Sequence, residues 1–131
     1  SNMYDAKLCL LSHQIIESPE SAKIDIEELK GKLKGKRRAI LTNIEARLVG
    51  YVEQNTSAAL SLLESVSVGM RDKQWYAVKI QLLQKEIEVH ILAQRTILAE
   101  KIQNKLSKLK NEYEQKFGEF SADESNFLPD A

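Results

Sequence analysis

The sequence predicts an all-α fold, an elongated up-and-down bundle of three or four helices with a long helical hairpin. Apolar residues recur at helical spacing along nearly the whole chain. Only five glycines and two prolines occur in 131 residues, and aromatics make up 6%. A sandwich or barrel needs frequent turn residues, so the scarcity of glycine and proline argues against both. At this length one domain with a sizeable core is feasible without disulfides. A single helical domain over 3–118 is therefore expected, followed by a mobile acidic tail over 119–131.

The first segment, Met3 to about Glu17, sets Tyr4, Leu8, Leu11 and Ile15 on one helical face. It should stop at Ser18-Pro19, because a residue preceding proline avoids the helical region. Ser18 is a natural cap for the second segment, with Pro19 at its first position. Ala22, Ile26, Leu29 and Leu33 form the apolar face of that segment. Gly31 and Gly35 each weaken a helix by about 1 kcal/mol relative to alanine, so a break near Gly35 is expected. From about Lys36 to Val68 a single stripe gathers Ile40, Leu41, Ile44, Leu48, Tyr51, Val52, Ala58, Ala59, Leu62, Leu63 and Val66. Asn55 falls within this stripe, where a buried amide would fix register, or else it marks the stripe's edge. Gly69 then ends the segment and Asp72 caps the next.

From Asp72 to about Gly118 there is neither glycine nor proline until the end, and one long helix is expected. Between Tyr76 and Leu98 it carries two apolar stripes on nearly opposite faces. Ile80, Leu83, Ile87, Ile91 and Leu98 form one; Val78, Leu82, Val89 and Leu92 form the other. A helix apolar on both sides needs neighbours on both sides. Beyond Glu100 one narrow seam remains, Ile102, Leu106, Leu109 and Tyr113, whose four-three-four spacing suits a coiled-coil-like contact. Unbroken, this helix would span roughly 70 Å and its predecessor only about 50 Å. The expected hairpin is therefore formed by the third and fourth segments, with the far end of the fourth covered either by the first two helices or by a second chain.

Composition narrows the function classes. The formal net charge is zero, so no global field steers the chain towards nucleic acid or membrane. The single cysteine, Cys9, excludes an internal disulfide framework and favours a reducing compartment, the cytosol being the simplest. Its neighbours Leu8, Leu10 and Leu11 suggest a buried thiol that behaves as a small hydrophobe. No apolar run reaches membrane-span length, and no secretory signal pattern opens the chain.

Glu86 and His90 share a helix face one turn apart, but His13 is the only other histidine, too few ligands for a zinc-type centre. No nucleophile has a base beside it in the sequence, and no glycine-rich turn is available for phosphates. A non-enzymatic chain without cofactor or metal is expected.

Two surfaces remain as candidates for binding. The excess apolar surface of the last segment, Val78, Leu82, Val89 and Leu92, or the seam Ile102, Leu106, Leu109 and Tyr113, suits burial against a partner helix or a second copy. An adaptor, an assembly subunit or a small helical chaperone has this outline, although no residue motif assigns a family. The alternative is the basic run Lys30, Lys32, Lys34, Lys36, Arg37 and Arg38, which can meet the phosphates of nucleic acid or an anionic membrane. Its plainer role is a solvated elbow between helices. Trp75 and Tyr76 can anchor a partner or plug the end of the core. Phe120 and Phe127 in the acidic tail can serve as a short binding motif, or the tail is simply a solubilising terminus.

Overall fold

The structure, a computed structural model, describes residues 3–120. Among these it is helical with no strand. The chain divides into two compact units, one ending at Arg71 and the other beginning at Asp72.

In the first unit, α1 (Met3–Glu17) and α2 (Pro19–Lys30) are separated by Ser18 alone. Ser18 stands at the cap position with Pro19 in the first turn, but its side chain makes no capping hydrogen bond. The opening amides of α2 are thus left without side-chain help, and the break owes more to proline than to serine. Beyond Lys30 the helix ends at Gly31, and α3 (Gly35–Arg47) starts after a short connection. Gly35 lies at φ +61, in the left-handed region that glycine enters without a Cβ clash.

Leu8, Leu11 and Ile15 from α1 meet Ala22, Ile26 and Leu29 from α2, and Leu41, Ile44 and Leu48 close the cluster. The apolar faces legible in the sequence thus converge on one core. Ion pairs frame it: Asp5 with Arg37, Lys23 with Glu53, and Lys30 with Glu45.

The expected helix over 36–68 is interrupted. After Arg47 the chain widens into a π-helical turn, Leu48–Val52, and the Glu53 N–H donates to the Leu48 carbonyl at 3.0 Å. Gln54 then takes φ 58 and stops the helix. Asn55 is an exposed cap rather than a buried register residue: its side-chain oxygen accepts from the Ala58 N–H at 3.1 Å. It opens α4 (Thr56–Glu64), which is followed by the 3₁₀ turn Val68–Met70. Capping satisfies an otherwise orphaned amide, which explains why asparagine suits this position and not the stripe interior.

In the second unit, Asp72 caps α5 (Lys73–Leu92), its carboxylate accepting from the Trp75 N–H at 2.9 Å. The expected continuous helix to Gly118 does not occur. The chain turns back at Ala93–Arg95 and runs as α6 (Thr96–Phe117) against α5. The hairpin expected between the third and fourth segments is thus formed inside the fourth. Its turn is a helix stop of the Schellman type: the Gln94 N–H donates to Ile91 and the Arg95 N–H to His90, at 3.0 and 2.8 Å. Gln94 adopts φ 60, a place glycine usually holds. Lacking glycine, this stop carries no sequence signal.

Candidate interaction surface

The hairpin gives each member of the α6 seam a place. Ile102, Leu106, Leu109 and Tyr113 are buried, along with Ala99 one turn before them. Their four-three spacing keeps them on one side of α6, and α5 is the helix packed there. This contact is intramolecular and antiparallel, as Lys116 near the end of α6 donates to the Tyr76 hydroxyl near the start of α5 at 2.9 Å. The seam is occupied within the chain.

The second stripe of α5 divides in two. Val78 and Leu82 are fully buried, whereas Val89 is 50% and Leu92 85% exposed. Three more aliphatic side chains lie in the open beside them: Ile91, Ile97 and Leu98. Sequence patterning places Ile91 and Leu98 on the stripe of Ile80, Leu83 and Ile87 and passes over Ile97. A signal was nonetheless present, since two apolar clusters, Ile91-Leu92-Ala93 and Ile97-Leu98-Ala99, stand three residues apart. All five open side chains belong to the last turn of α5 and the first turn of α6, so they gather at the closed end of the hairpin. Exposed aliphatics scattered singly are ordinary, whereas several at one end of a hairpin make that end a candidate contact surface. His90 and Arg95 brace the turn, with the Arg95 Nε donating to the His90 Nδ1 at 2.9 Å.

The other end of the hairpin is closed by aromatic rings. Trp75 and Tyr76 are buried and meet edge to face at 4.9 Å between centroids. Tyr76 meets Phe117 at 5.8 Å, and Tyr113 meets both Phe117 and Phe120 at 5.1 Å. Lys116 lies 5.1 Å over the Tyr76 ring and Lys79 lies 5.0 Å over Trp75. Edge-to-face rings under cations make a tight plug, leaving Trp75 and Tyr76 little exposed surface. Phe127 and the acidic tail from residue 121 onward lie outside the described residues.

Three of the six cations in the basic run are matched by carboxylates. Lys30 contacts Glu27 at 2.9 Å and Glu45 at 2.7 Å. Partial burial works against its charge, but these hydrogen bonds outweigh burial and raise its pKa. Lys32 pairs with Glu28 at 3.0 Å, which raises the lysine and lowers the glutamate. Arg37 grips Asp5 with two bonds of 2.8 and 3.2 Å, and the same bonds hold the Asp5 carboxyl below its usual range. Arg38 uses one Nη1 donor on the Lys30 carbonyl at 2.9 Å. Lys34 and Lys36 are exposed and form no ion pair among the described residues. The local charge is thus much smaller than the run of six cations suggests.

Other chemistry-bearing residues stand apart. Cys9 is exposed, contrary to the expected buried thiol, because α1 turns its apolar face through Leu8 and Leu11 instead. Among the described residues no three His, Cys, Asp or Glu side chains gather where they could hold a metal ion. No described helix is long and apolar enough to cross a membrane. Arg47 is only 7% exposed, and burial pushes its guanidinium down to about 10. Its Nε has no hydrogen-bond partner. Asn43 lies one turn earlier on α3 and is also buried, a polar strip in an otherwise apolar helix face. Compared with known proteins, the chain matches no family model, no curated protein sequence and no solved structure.

Proposed function

We propose that this protein is a non-enzymatic interaction module whose contact surface is the closed end of the α5–α6 hairpin. An adaptor, an assembly subunit or a small helical chaperone fits this reading. The observation that supports the reading is the joint exposure of Val89, Ile91, Leu92, Ile97 and Leu98. A partner helix laid across the tip, or the same tip of a second copy, removes this apolar surface from water, which is the main driving force for such association. Val78, Leu82 and the α6 seam contribute differently from what their sequence pattern suggests. They hold the helices that present the tip.

The basic run is the weaker candidate, because four of its six members already hold intramolecular partners.

The test is solution mass by light scattering over a wide concentration range, for the wild type, Leu92→Asp and Ile97→Asp. A mass that rises with concentration in the wild type alone supports self-association through the tip. If the wild type stays monomeric, a photo-crosslinking amino acid at position 92 is used in cells, with position 103 as control. One discrete partner captured from position 92, and lost in Ile97→Asp, supports a heterologous contact. A monomeric wild type with no such adduct overturns the proposal.

A further inference from the structure

A cleft in the first unit, separate from the hairpin tip, has a chemistry of its own. It measures about 350 Å³ and opens between the start of α3 and the end of α4. That volume lies in the range of small-ligand sites. Its polar wall consists of Arg38, Thr42, Ser65 and Ser67, and its lining contains no carboxylate.

The donors on that wall are only partly committed. Arg38 uses one Nη1 bond on the Lys30 carbonyl, and no other bond of its guanidinium occurs among the described residues. A guanidinium offers five donors in a planar fork suited to a phosphate or carboxylate. The Thr42 hydroxyl donates to the Arg38 carbonyl at 3.0 Å and the Ser65 hydroxyl to Leu62 at 2.6 Å. The Ser67 hydroxyl has no partner among the described residues, so it is available to donate. Lys34 and Lys36 stand at the head of α3, whose Gly35 lines the cleft, and add unpaired positive charge nearby. The remaining wall, Ala39, Val66 and Met70, is apolar.

We propose that the cleft between α3 and α4 binds a phosphate monoester, with Arg38 and Ser67 holding the phosphate and Met70 and Val66 flanking its organic part. A free metabolite and the headgroup of a phosphatidic-acid lipid share this chemistry.

Inorganic phosphate is titrated into the full chain while backbone amide shifts are followed, at constant ionic strength set with chloride. The expected result is saturable shifts at Gly35, Ser65 and Ser67, with affinity reduced about tenfold or more in Arg38→Gln, as for loss of a charge-assisted fork. Arg38→Lys keeps the charge but not the fork and should fall between the two. Thermal melts check that each variant folds. If Arg38→Gln does not fold, Ser67→Ala takes its place and should weaken binding by a smaller factor. Co-sedimentation with phosphatidic-acid vesicles, with and without glycerol 3-phosphate as competitor, separates the two sources. Vesicle binding lost in Arg38→Gln and competed only weakly assigns the lipid; binding of the soluble ester alone assigns the metabolite. Non-saturating shifts, shifts confined to Lys34 and Lys36, or affinity unchanged in Arg38→Gln overturn the site.

Discussion

Two capping residues with the same sequence logic behave differently from a third. Asp72 and Asn55 each accept a backbone N–H, at 2.9 and 3.1 Å, whereas Ser18 makes no such bond. Asp72→Ala and Asn55→Ala should each lower stability by about 1 kcal/mol, the usual value of a side-chain cap. Ser18→Ala should change it by much less, and urea unfolding of the three variants measures the contrast. Arg47 offers a second residue-scale test. A buried cation that leaves a donor unsatisfied is often replaced by an apolar chain of similar volume with no loss, or with gain. Arg47→Met should therefore be as stable as the wild type or more so at neutral pH. The pH dependence follows from the direction of the shift. The folded guanidinium is depressed to about 10, so between about 10 and its ordinary value the unfolded chain binds more protons. Stability from this group then rises with pH through that window. The gain of Arg47→Met over the wild type should shrink accordingly above pH 10, a difference that cancels the titration of other groups.

The hairpin is the element that redistributes the apolar surface of the last segment. Leu106 is 3% exposed in its seam, and Leu92 is 85% exposed at its tip. Leu106→Ala should cost about 2–5 kcal/mol, as for other buried leucines. Leu92→Ala should stay within about 0.5 kcal/mol, as for surface changes. A single unbroken helix would not separate the two in this way, so thermal or urea unfolding of the pair tests the turn itself. Gln94 at φ 60 carries a left-handed penalty of about 1–2 kcal/mol for an L-residue. Glycine removes it at the cost of extra freedom in the unfolded chain. Gln94→Gly should still stabilise the hairpin slightly. The turn was not legible beforehand for the same reason: glycine is the usual sign of a Schellman stop, and none is present. The π-helical turn at Leu48–Val52 was signalled only by Gly50, a residue that weakens a helix interior, because the stripe through Ile44, Leu48 and Val52 otherwise reads as ordinary helix until the hydrogen bonds slip by one residue.

For the whole molecule, electrostatics is a matter of local pairing under zero net charge. Lys32 with Glu28 and Arg37 with Asp5 are exposed pairs, and such pairs contribute little to stability. The melting temperature should therefore change little when salt rises from about 0.05 to 0.5 M. A random-sequence duplex should bind weakly, and Lys34→Gln with Lys36→Gln should alter nothing else. Steeply salt-dependent duplex binding abolished by that double variant would instead promote the basic run to the main surface.

The sequence by itself determined the helical class, the apolar faces of α1 and α2, the break between Lys30 and Gly35, and the Asp72 cap. These follow from local periodicity, proline, glycine and short-range hydrogen bonds, which adjacent residues settle among themselves. It also marked Val78, Leu82, Val89 and Leu92 as one stripe. Only the tertiary structure decided that the stripe divides, with Val78 and Leu82 buried and Val89 and Leu92 open. It likewise decided that the chain turns at Gln94 and that Lys30 faces Glu45, and it brought Arg38 and Ser67 to one cleft. Each of these depends on which distant residues pack together, and a periodic pattern states only that a face must be covered, not which neighbour covers it or where the cover ends.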